Sequence, residues 1–142
     1  MDPRDRTVAS VMRAEFASVS SRDRLDLVDD VMKLGQVRHM PVIDDGELTG
    51  VVSQRDLLAA SLSCALDFAG SQRRTFLRSV GVDEVMARNP VTANPDTPLG
   101  VAARAMLENR IGCLPVVDDK GRPVGLLTET DLVRGAYDLD EE

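Results

Sequence analysis

The chain has 142 residues, a formal net charge of −7, 43% hydrophobic residues and 29% charged residues. These values are typical of a globular domain. The negative charge repels nucleic acid and anionic membranes, so neither is expected as a partner. Aromatic residues are only 3% of the chain, which also disfavours binding of single-stranded nucleic acid by base stacking.

No targeting or membrane-spanning segment is predicted. Residues 1–6 are charged and lack the apolar region of a secretory signal. The most apolar stretch, residues 57–70, is too short to cross a bilayer and contains Asp67. Cys64 and Cys113 do not form a C-x-x-C motif, so neither a disulfide framework nor a zinc site is predicted. We therefore expect a cytoplasmic protein with two free, buried thiols.

The first half of the chain is predicted to fold as a turn, a strand, a helix, a hairpin and a second helix. The predicted elements are a helical turn over 7–12, a strand over 16–19, a helix over 25–34, strands over 40–43 and 48–52, and a helix from Ser53. Asp23 is a candidate cap for the first helix, and Gly35 is its predicted end. The sequence Asp44-Asp45-Gly46 predicts the turn of the hairpin.

The same series of elements returns in the second half. Residues 114–119 match residues 40–45 at a constant offset of 74. One extra residue then enters the following turn, and the offset is 75 as far as Asp131. An insertion confined to a turn is typical of a duplicated unit. We predict two copies of one β-α-β-β-α unit, over residues 7–60 and 82–136.

The remaining segments are a linker and a tail. Residues 61–81 have no counterpart in the second copy and are predicted to form a helical linker, with a helix over 72–80. Residues 137–142 are predicted to form an acidic tail. The linker arginines are interpreted as a solvated face or, alternatively, as one group that reaches a bound phosphate. These arginines are Arg73, Arg74 and Arg78.

The most informative repeat is the stretch Gly50–Leu57, which returns as Gly125–Leu132. Each stretch has a glycine, two aliphatic residues, a hydroxyl, two variable residues, an aspartate and a leucine. The aliphatic pair predicts a buried strand, and a hydroxyl followed three residues later by an acid predicts a helix start. Backbone N–H groups at such a start can receive an anion. Helix capping alone also explains the hydroxyl and the acid, and the two roles are compatible.

Together these features resemble a tandem pair of CBS domains, also called a Bateman module, from about Thr7 to Gly135. The resemblance rests on several segments in order: Val11-Met12, Val85-Met86, the Arg38–Gly46 segment and the two glycine stretches. It implies an α/β fold of two pseudo-twofold-related units with short mixed sheets. It also implies a homodimer and two clefts between the units that take AMP, ADP, ATP or S-adenosylmethionine as regulatory ligands, with no cofactor required.

The resemblance assigns roles to residues in each copy. The hydroxyls of Ser53 and Thr128 would lie beside a phosphate or ribose, and the carboxylates of Asp56 and Asp131 would accept hydrogen bonds from ribose hydroxyls. The strand starts would run along the adenine. The complete predicted nucleotide-binding set is Ser18, Val19, Arg38, His39, Met40, Pro41, Ser53, Arg55, Asp56, Thr92, Cys113, Leu114, Pro115, Thr128 and Asp131.

The two copies differ in charge. The first has four basic residues where the second has none: Lys33, Arg38, His39 and Arg55 stand opposite Leu107, Gly112, Cys113 and Thr130. The first site is therefore predicted to suit a phosphate tail. The second, where Glu129 would repel phosphate, is predicted to take adenosine, a cationic ligand such as S-adenosylmethionine, or nothing. Basic groups of one copy serving the cleft of the other remain an alternative.

No catalytic or metal site is predicted. His39 is the only histidine, and it lies in no nucleophile motif; it is either a phosphate contact or a polar residue at a strand edge. The methionines at apolar positions indicate core packing rather than a soft metal site. These are Met32, Met40, Met86 and Met106. The sequence thus predicts a free-standing regulatory module that acts on an unknown target protein. The alternative is a structural, dimerisation or protein-interaction module without bound nucleotide.

Overall fold

A computed structural model of the protein describes residues 2–62, 70–137 and 139. The chain divides into two compact units, residues 17–89 and residues 1–16 with 90–142. We call them the Asp56 unit and the Asp131 unit. The predicted α/β architecture is confirmed, because helices flank small sheets in each unit. The repeat boundaries inferred from the sequence, at 7–60 and 82–136, stay a prediction.

Five longer helices and two hairpins account for most of the described chain. The Asp56 unit contains α1 (Leu25–Gly35), β1 (His39–Asp44), β2 (Glu47–Ser53), α2 (Gln54–Leu62), α3 (Gly70–Ser79), α4 (Val82–Val85) and β3 (Ala87–Arg88). The Asp131 unit contains 3-10 turns at Pro3–Asp5 and Val8–Ser10, then α5 (Leu99–Asn109), β4 (Cys113–Val117), β5 (Pro123–Thr128) and α6 (Glu129–Tyr137). Among the described residues no helix is long and apolar enough to cross a membrane.

The sheets are antiparallel rather than mixed. Strands β1, β2 and β3 form one sheet, and β4 pairs with β5 in the other. The predicted strand over 16–19 is wrong: only Val19 pairs with Val42, in one isolated parallel bridge. Its N–H donates to the carbonyl of Pro41. The Ile43 N–H donates to the Val19 carbonyl in return. Because Pro41 has no N–H to donate to residue 17, the parallel ladder does not extend towards residue 16.

The first long helix begins differently from the prediction. Its N-cap is Arg24, which makes no side-chain cap bond. Asp23 instead accepts a hydrogen bond from the Ser20 N–H at 2.8 Å. The helix includes Gly35, and its C-cap is Gln36, which has a left-handed φ of 52°. Gly35 is therefore the last helical residue rather than the residue that reverses the chain.

Each unit has its own aliphatic core. In the Asp56 unit α1 contributes Leu25 and Val28, which are fully buried, and in the Asp131 unit α5 contributes the equivalent Leu99. Full burial of such a side chain stabilises the fold by about 1.5–3 kcal/mol. The predicted core role of the methionines is confirmed, since all four are buried: Met32, Met40, Met86 and Met106. No cluster of His, Cys, Asp or Glu in the described part of the chain could hold a metal ion.

The first hairpin turn follows the prediction. Asp45 and Gly46 have φ of 53° and 79°, and positive φ at both central residues is the requirement of a type I′ turn. Asp44, at the end of β1, accepts hydrogen bonds from the Ser20 hydroxyl at 2.7 Å and the Thr49 hydroxyl at 2.9 Å. The Ser20 hydrogen bond is the largest of the effects that hold the pKa of the Asp44 carboxyl well below its usual value.

The residue after the opening dipeptide of each sequence copy pairs with the hairpin of the other copy. Ala87 lies opposite Val51 in the β2–β3 ladder, and Arg13 lies opposite Leu126 in an isolated bridge. A Cβ on Gly50 would lie 2.7 Å from the Ala87 carbonyl oxygen and 2.9 Å from the Met86 sulfur. A glycine is therefore required wherever this backbone crosses so closely.

The three linker arginines have a role that neither interpretation anticipated. They join α3 to acids on α1 through pairs at 2.9–3.4 Å: Arg73 with Asp29, Arg74 with Asp30, and Arg78 with Asp26. Of the three acids, Asp29 is the one with a buried side chain, 8% exposed. The arginines thus hold the linker helix against the Asp56 unit. The predicted helical residues 63–69, with Cys64, and most of the acidic tail lie outside the described residues.

Candidate functional site

The predicted hydroxyl and acid meet at the start of α2. Ser53 is the last residue of β2, so the strand leads directly into the helix. The Ser53 hydroxyl accepts a hydrogen bond from the Asp56 N–H at 3.1 Å. In return, Asp56 Oδ2 accepts from the Ser53 N–H at 2.8 Å and from the Ser53 hydroxyl at 2.9 Å. This reciprocal arrangement is a capping box, so the capping interpretation is confirmed for this copy.

The start of α6 repeats the arrangement. Asp131 Oδ2 accepts from the Thr128 N–H and from the Thr128 hydroxyl, each at 2.9 Å. The Thr128 hydroxyl accepts from the Asp131 N–H at 3.3 Å. The two copies therefore use the same carboxylate oxygen in the same way. Their hydrogen bonding differs at the second oxygen, Oδ1.

The helix starts have fewer open N–H groups than the sequence suggested. The Gln54 N–H donates to the Arg38 carbonyl at 2.8 Å, and the Asp56 N–H is held by the Ser53 hydroxyl. Between them only the Arg55 N–H has no acceptor among the described residues. A bound anion would have one backbone donor here instead of three, because the cap and the strand already use the others.

The second oxygen of Asp56 is open. Asp56 is half-buried, and its Oδ1 accepts no hydrogen bond from any described residue. An ionised carboxylate can accept about four hydrogen bonds over its two oxygens. Asp56 therefore keeps about half of its accepting capacity for a ligand.

The second oxygen of Asp131 is occupied. Asp131 Oδ1 accepts from Arg13 Nε at 3.1 Å and from Arg134 Nη1 at 3.4 Å. The Asp131 side chain is only 2% exposed, whereas those of Arg13 and Arg134 are 40% and 28% exposed. With the two bonds from Thr128, the carboxylate has four donors, which is its full capacity.

A cavity of about 820 Å³ lies beside Asp131. Its size falls within the range of about 300–1,000 Å³ that is usual for small-molecule sites. The cavity is lined by Arg6, the segment Ser10–Glu15, Asp131, Arg134, Gly135 and Leu139. Three arginines against two acids give this wall a positive excess, although the sequence predicted the more positive site in the first copy.

Sequence reasoning missed Arg6, Arg13 and Arg134 as site residues. Arg13 and Arg134 come from the two ends of the chain and face one carboxylate, so that only the fold brings them together. Conversely, Lys33, which was predicted to make the first site basic, pairs with Asp29 on its own helix at 3.0 Å. A comparison of the copies position by position would have shown the asymmetry but not the contact.

Other predicted site residues lie close to the two helix starts. His39 is the first residue of β1 and stands opposite Ser53 in the ladder, while Cys113 stands opposite Thr128 in the same way. His39 is half-buried and Cys113 is buried. Burial, with a smaller contribution from the Glu129 charge, raises the pKa of the Cys113 thiol to about 12.

The remaining predicted residues divide by exposure. Four are exposed and able to meet a ligand: Ser18, Arg38, Arg55 and Thr92. Five are buried in or beside the sheets: Val19, Met40, Pro41, Leu114 and Pro115. The side chains of Met40 and Leu114 belong to the cores, so that only their backbone groups are available at the strand starts. Nucleotide contact by these residues stays a prediction.

The CBS domain family model matches residues 8–63 and 82–138. A CBS domain-containing protein of Dictyostelium discoideum is 33% identical over 127 residues, covering 89% of this chain and 88% of that protein. A protein of Methanococcoides burtonii named homoserine O-acetyltransferase is 31% identical over 130 residues. That match covers 90% of this chain but only 24% of the longer protein.

Solved structures of CBS domain proteins are also similar to this chain. CBSX2 in complex with AMP has a TM-score of 0.78 and 30% identity, covering 95% of this chain and 98% of that chain. The CBS domain pair of protein MJ0100, in complex with 5′-methylthioadenosine and S-adenosyl-L-methionine, has a TM-score of 0.76 and 25% identity, covering 91% and 98%. With a family model matched twice along most of its length, the chain belongs to the CBS domain family and carries a tandem pair of these domains.

Proposed function

We propose that the protein is a regulatory module that binds an adenosine-containing ligand at the Asp56 helix start. The observation that carries this proposal is the open Oδ1 of Asp56, beside an Oδ2 that the cap already fixes in place. The cap orients the carboxylate before any ligand arrives, which lowers the entropy cost of binding. Related CBS pairs in complex with AMP, or with S-adenosylmethionine and methylthioadenosine, support this class of ligand.

The chemistry fits a ribose. Neighbouring 2′ and 3′ hydroxyls would donate to one carboxylate oxygen, and hydrogen bonds to a charged group contribute about 1.5–3 kcal/mol each. Arg38 and Arg55 are exposed next to this helix start and would favour an anionic tail. AMP, ADP or ATP is therefore preferred over the cationic S-adenosylmethionine at this site.

Regulation would follow from a difference in affinity. A ligand shifts a conformational equilibrium only as far as it binds one arrangement more tightly than another. A target protein that recognises the favoured arrangement would then respond to nucleotide concentration. The proposed activity is therefore regulatory, and it involves no turnover of the nucleotide.

Isothermal titration calorimetry with AMP, ADP, ATP, adenosine and S-adenosylmethionine tests the proposal. We expect one adenine nucleotide per chain, and at least a tenfold loss of affinity in Asp56→Asn. Asparagine keeps an oxygen that can accept the Ser53 N–H but removes the negative charge, so the fold should survive. Asp131→Asn is the matched control, and it should leave the affinity unchanged. No binding of any compound by folded wild-type protein would refute the proposal.

A second candidate is a structural or protein-interaction module, and a specific observation favours it. Large apolar side chains are exposed on several helices, and where such side chains are contiguous they mark protein–protein interaction surfaces. They include Leu27 and Leu34 on α1, Leu58 and Leu62 on α2, Val101 and Leu107 on α5, and Val133 and Tyr137 on α6. We propose that a second copy of this chain covers at least one of these faces. Sedimentation velocity should show a dimer, and Leu34→Glu or Leu107→Glu should weaken it.

A further inference from the structure

We propose that Arg13 and Arg134 decide which of the two capping aspartates can accept a ribose. The inference rests on the proposed function and deepens it. Both arginines hold Asp131 Oδ1, the oxygen that stays open in Asp56. The Asp131 cavity is thereby closed to a sugar diol although it is large enough for a nucleoside.

Backbone structure positions both arginines beside Asp131. The Arg13 N–H donates to the Leu126 carbonyl at 2.9 Å, and the Leu126 N–H donates to the Arg13 carbonyl at 2.9 Å. Arg134 lies one helical turn after Asp131 on α6, a spacing that places the two side chains on one face. The guanidinium groups are therefore directed at the carboxylate by an isolated backbone bridge and by a helix.

The Asp56 helix start has no counterpart of either arginine. Ala87 occupies the place of Arg13, because Ala87 pairs with Val51 as Arg13 pairs with Leu126. At the offset of 75 that relates Asp131 to Asp56, the counterpart of Arg134 is Ala59. Neither alanine can donate a side-chain hydrogen bond. Two substitutions thus separate a filled carboxylate from one with an open oxygen.

A ligand that reached Asp131 would have to replace these donors. A hydroxyl is a neutral donor, whereas the two guanidinium groups are charged and form the stronger class of hydrogen bond to a carboxylate. The exchange would also take two charged hydrogen bonds away from the buried Asp131 carboxylate. The ribose is therefore at a disadvantage at Asp131 that it does not meet at Asp56.

The test exchanges the two arginines and the two alanines between the copies, which should transfer AMP binding from Asp56 to Asp131. AMP binding is measured by titration calorimetry on wild type, Ala87→Arg/Ala59→Arg, Arg13→Ala/Arg134→Ala, and the variant with all four changes. We expect one AMP per chain in wild type and none in the double arginine variant. We expect two in the double alanine variant. The fourfold variant should bind one AMP, at a site sensitive to Asp131→Asn and insensitive to Asp56→Asn.

The outcomes separate the inference from the proposed function. If wild type binds no AMP but the double alanine variant gains one site that Asp131→Asn removes, the proposed function fails and the inference stands. Two sites in wild type, or undiminished binding when Ala87→Arg/Ala59→Arg is introduced, would overturn the inference. So would loss of a site on removal of Arg13 and Arg134, because these arginines would then bind the ligand themselves.

One variant carries a folding risk, because the double alanine change leaves a buried carboxylate with fewer partners. The double arginine variant avoids this risk, since it adds exposed groups beside a half-buried acid. Thermal unfolding and far-ultraviolet circular dichroism establish that each variant is folded before titration. If the double alanine variant is unfolded, loss of AMP binding in the folded double arginine variant still supports the inference, and retained binding contradicts it.

Discussion

The starts of α2 and α6 have the same capping box but different electrostatic surroundings. In each, Oδ2 of the aspartate accepts two hydrogen bonds from the preceding Ser or Thr. Asp56 keeps Oδ1 open, whereas Asp131 gives Oδ1 to Arg13 and Arg134. The same short motif thus supplies a site with spare accepting capacity in one unit and a buried ion-pair network in the other. Motif identity alone does not tell the two apart.

The largest expected effect separates the stability roles of the two acids. Asp131→Ala should lower the free energy of unfolding by about 2–3 kcal/mol, because it removes a cap and leaves two arginines without their buried partner. Asp56→Ala should cost about 1 kcal/mol, the typical value of a lost cap. Urea unfolding at pH 7 measures both. Equal losses would mean that Arg13 and Arg134 contribute nothing at Asp131.

Gly50 in β2 and Gly125 in β5 provide a second comparison. A Cβ at Gly125 would lie 2.6 Å from the Met12 sulfur and 3.1 Å from the Arg13 carbonyl oxygen. Gly125→Ala and Gly50→Ala should each lower the free energy of unfolding by about 1–3 kcal/mol, as overpacking does. Gly35→Ala is the control, since its Cβ would make only ordinary contacts at 3.8 Å. A neutral Gly125→Ala would contradict the close crossing of Arg13 on which the Asp131 pair depends.

A third difference is the buried acid on α1 of the Asp56 unit. Burial opposes ionisation of Asp29, but hydrogen bonds from Lys33 and Arg73 outweigh it and hold the pKa below its usual value. A lowered folded pKa stabilises the protein above the unfolded value of about 4. That contribution is lost as the pH falls through the folded pKa.

Asp29→Asn tests this network. At pH 7 it should lower the free energy of unfolding by about 1.5–3 kcal/mol, the value of a hydrogen bond to a charged group. Urea unfolding measures this difference over a range of pH. It should shrink as the pH falls below about 4, the unfolded pKa of an aspartate. A difference that stays constant with pH would show that the ion pair to α3 is not what the substitution removes.

The smallest effect concerns the residues opposite the two caps, where His39 and Cys113 occupy equivalent places. Because burial raises the pKa of Cys113 to about 12, its thiol should not react with Ellman's reagent at pH 8 until the protein is unfolded. A Cys64→Ser background makes the measurement specific. Rapid labelling in folded protein would show that the strand start at Cys113 opens to solvent.

The sequence allowed the α/β fold, the repeat and both capping boxes to be predicted, because each depends on local patterns. The capping interaction of Asp56 with Ser53, for example, spans three residues and needs no tertiary information. The pairing of Arg13 with Asp131 spans 118 residues, so no pattern in the chain predicts it. The strand predicted over 16–19 is wrong because a proline in the neighbouring strand limits the ladder, a constraint that appears only once the pairing is known.

The most direct test of the account is a crystal structure of the protein grown with AMP. We expect one AMP per chain, with its ribose hydroxyls within hydrogen-bond distance of Asp56 Oδ1 and with Arg13 still hydrogen-bonded to Asp131. AMP bound at Asp131 with Arg13 displaced, while Asp56 stays without ligand, would contradict it.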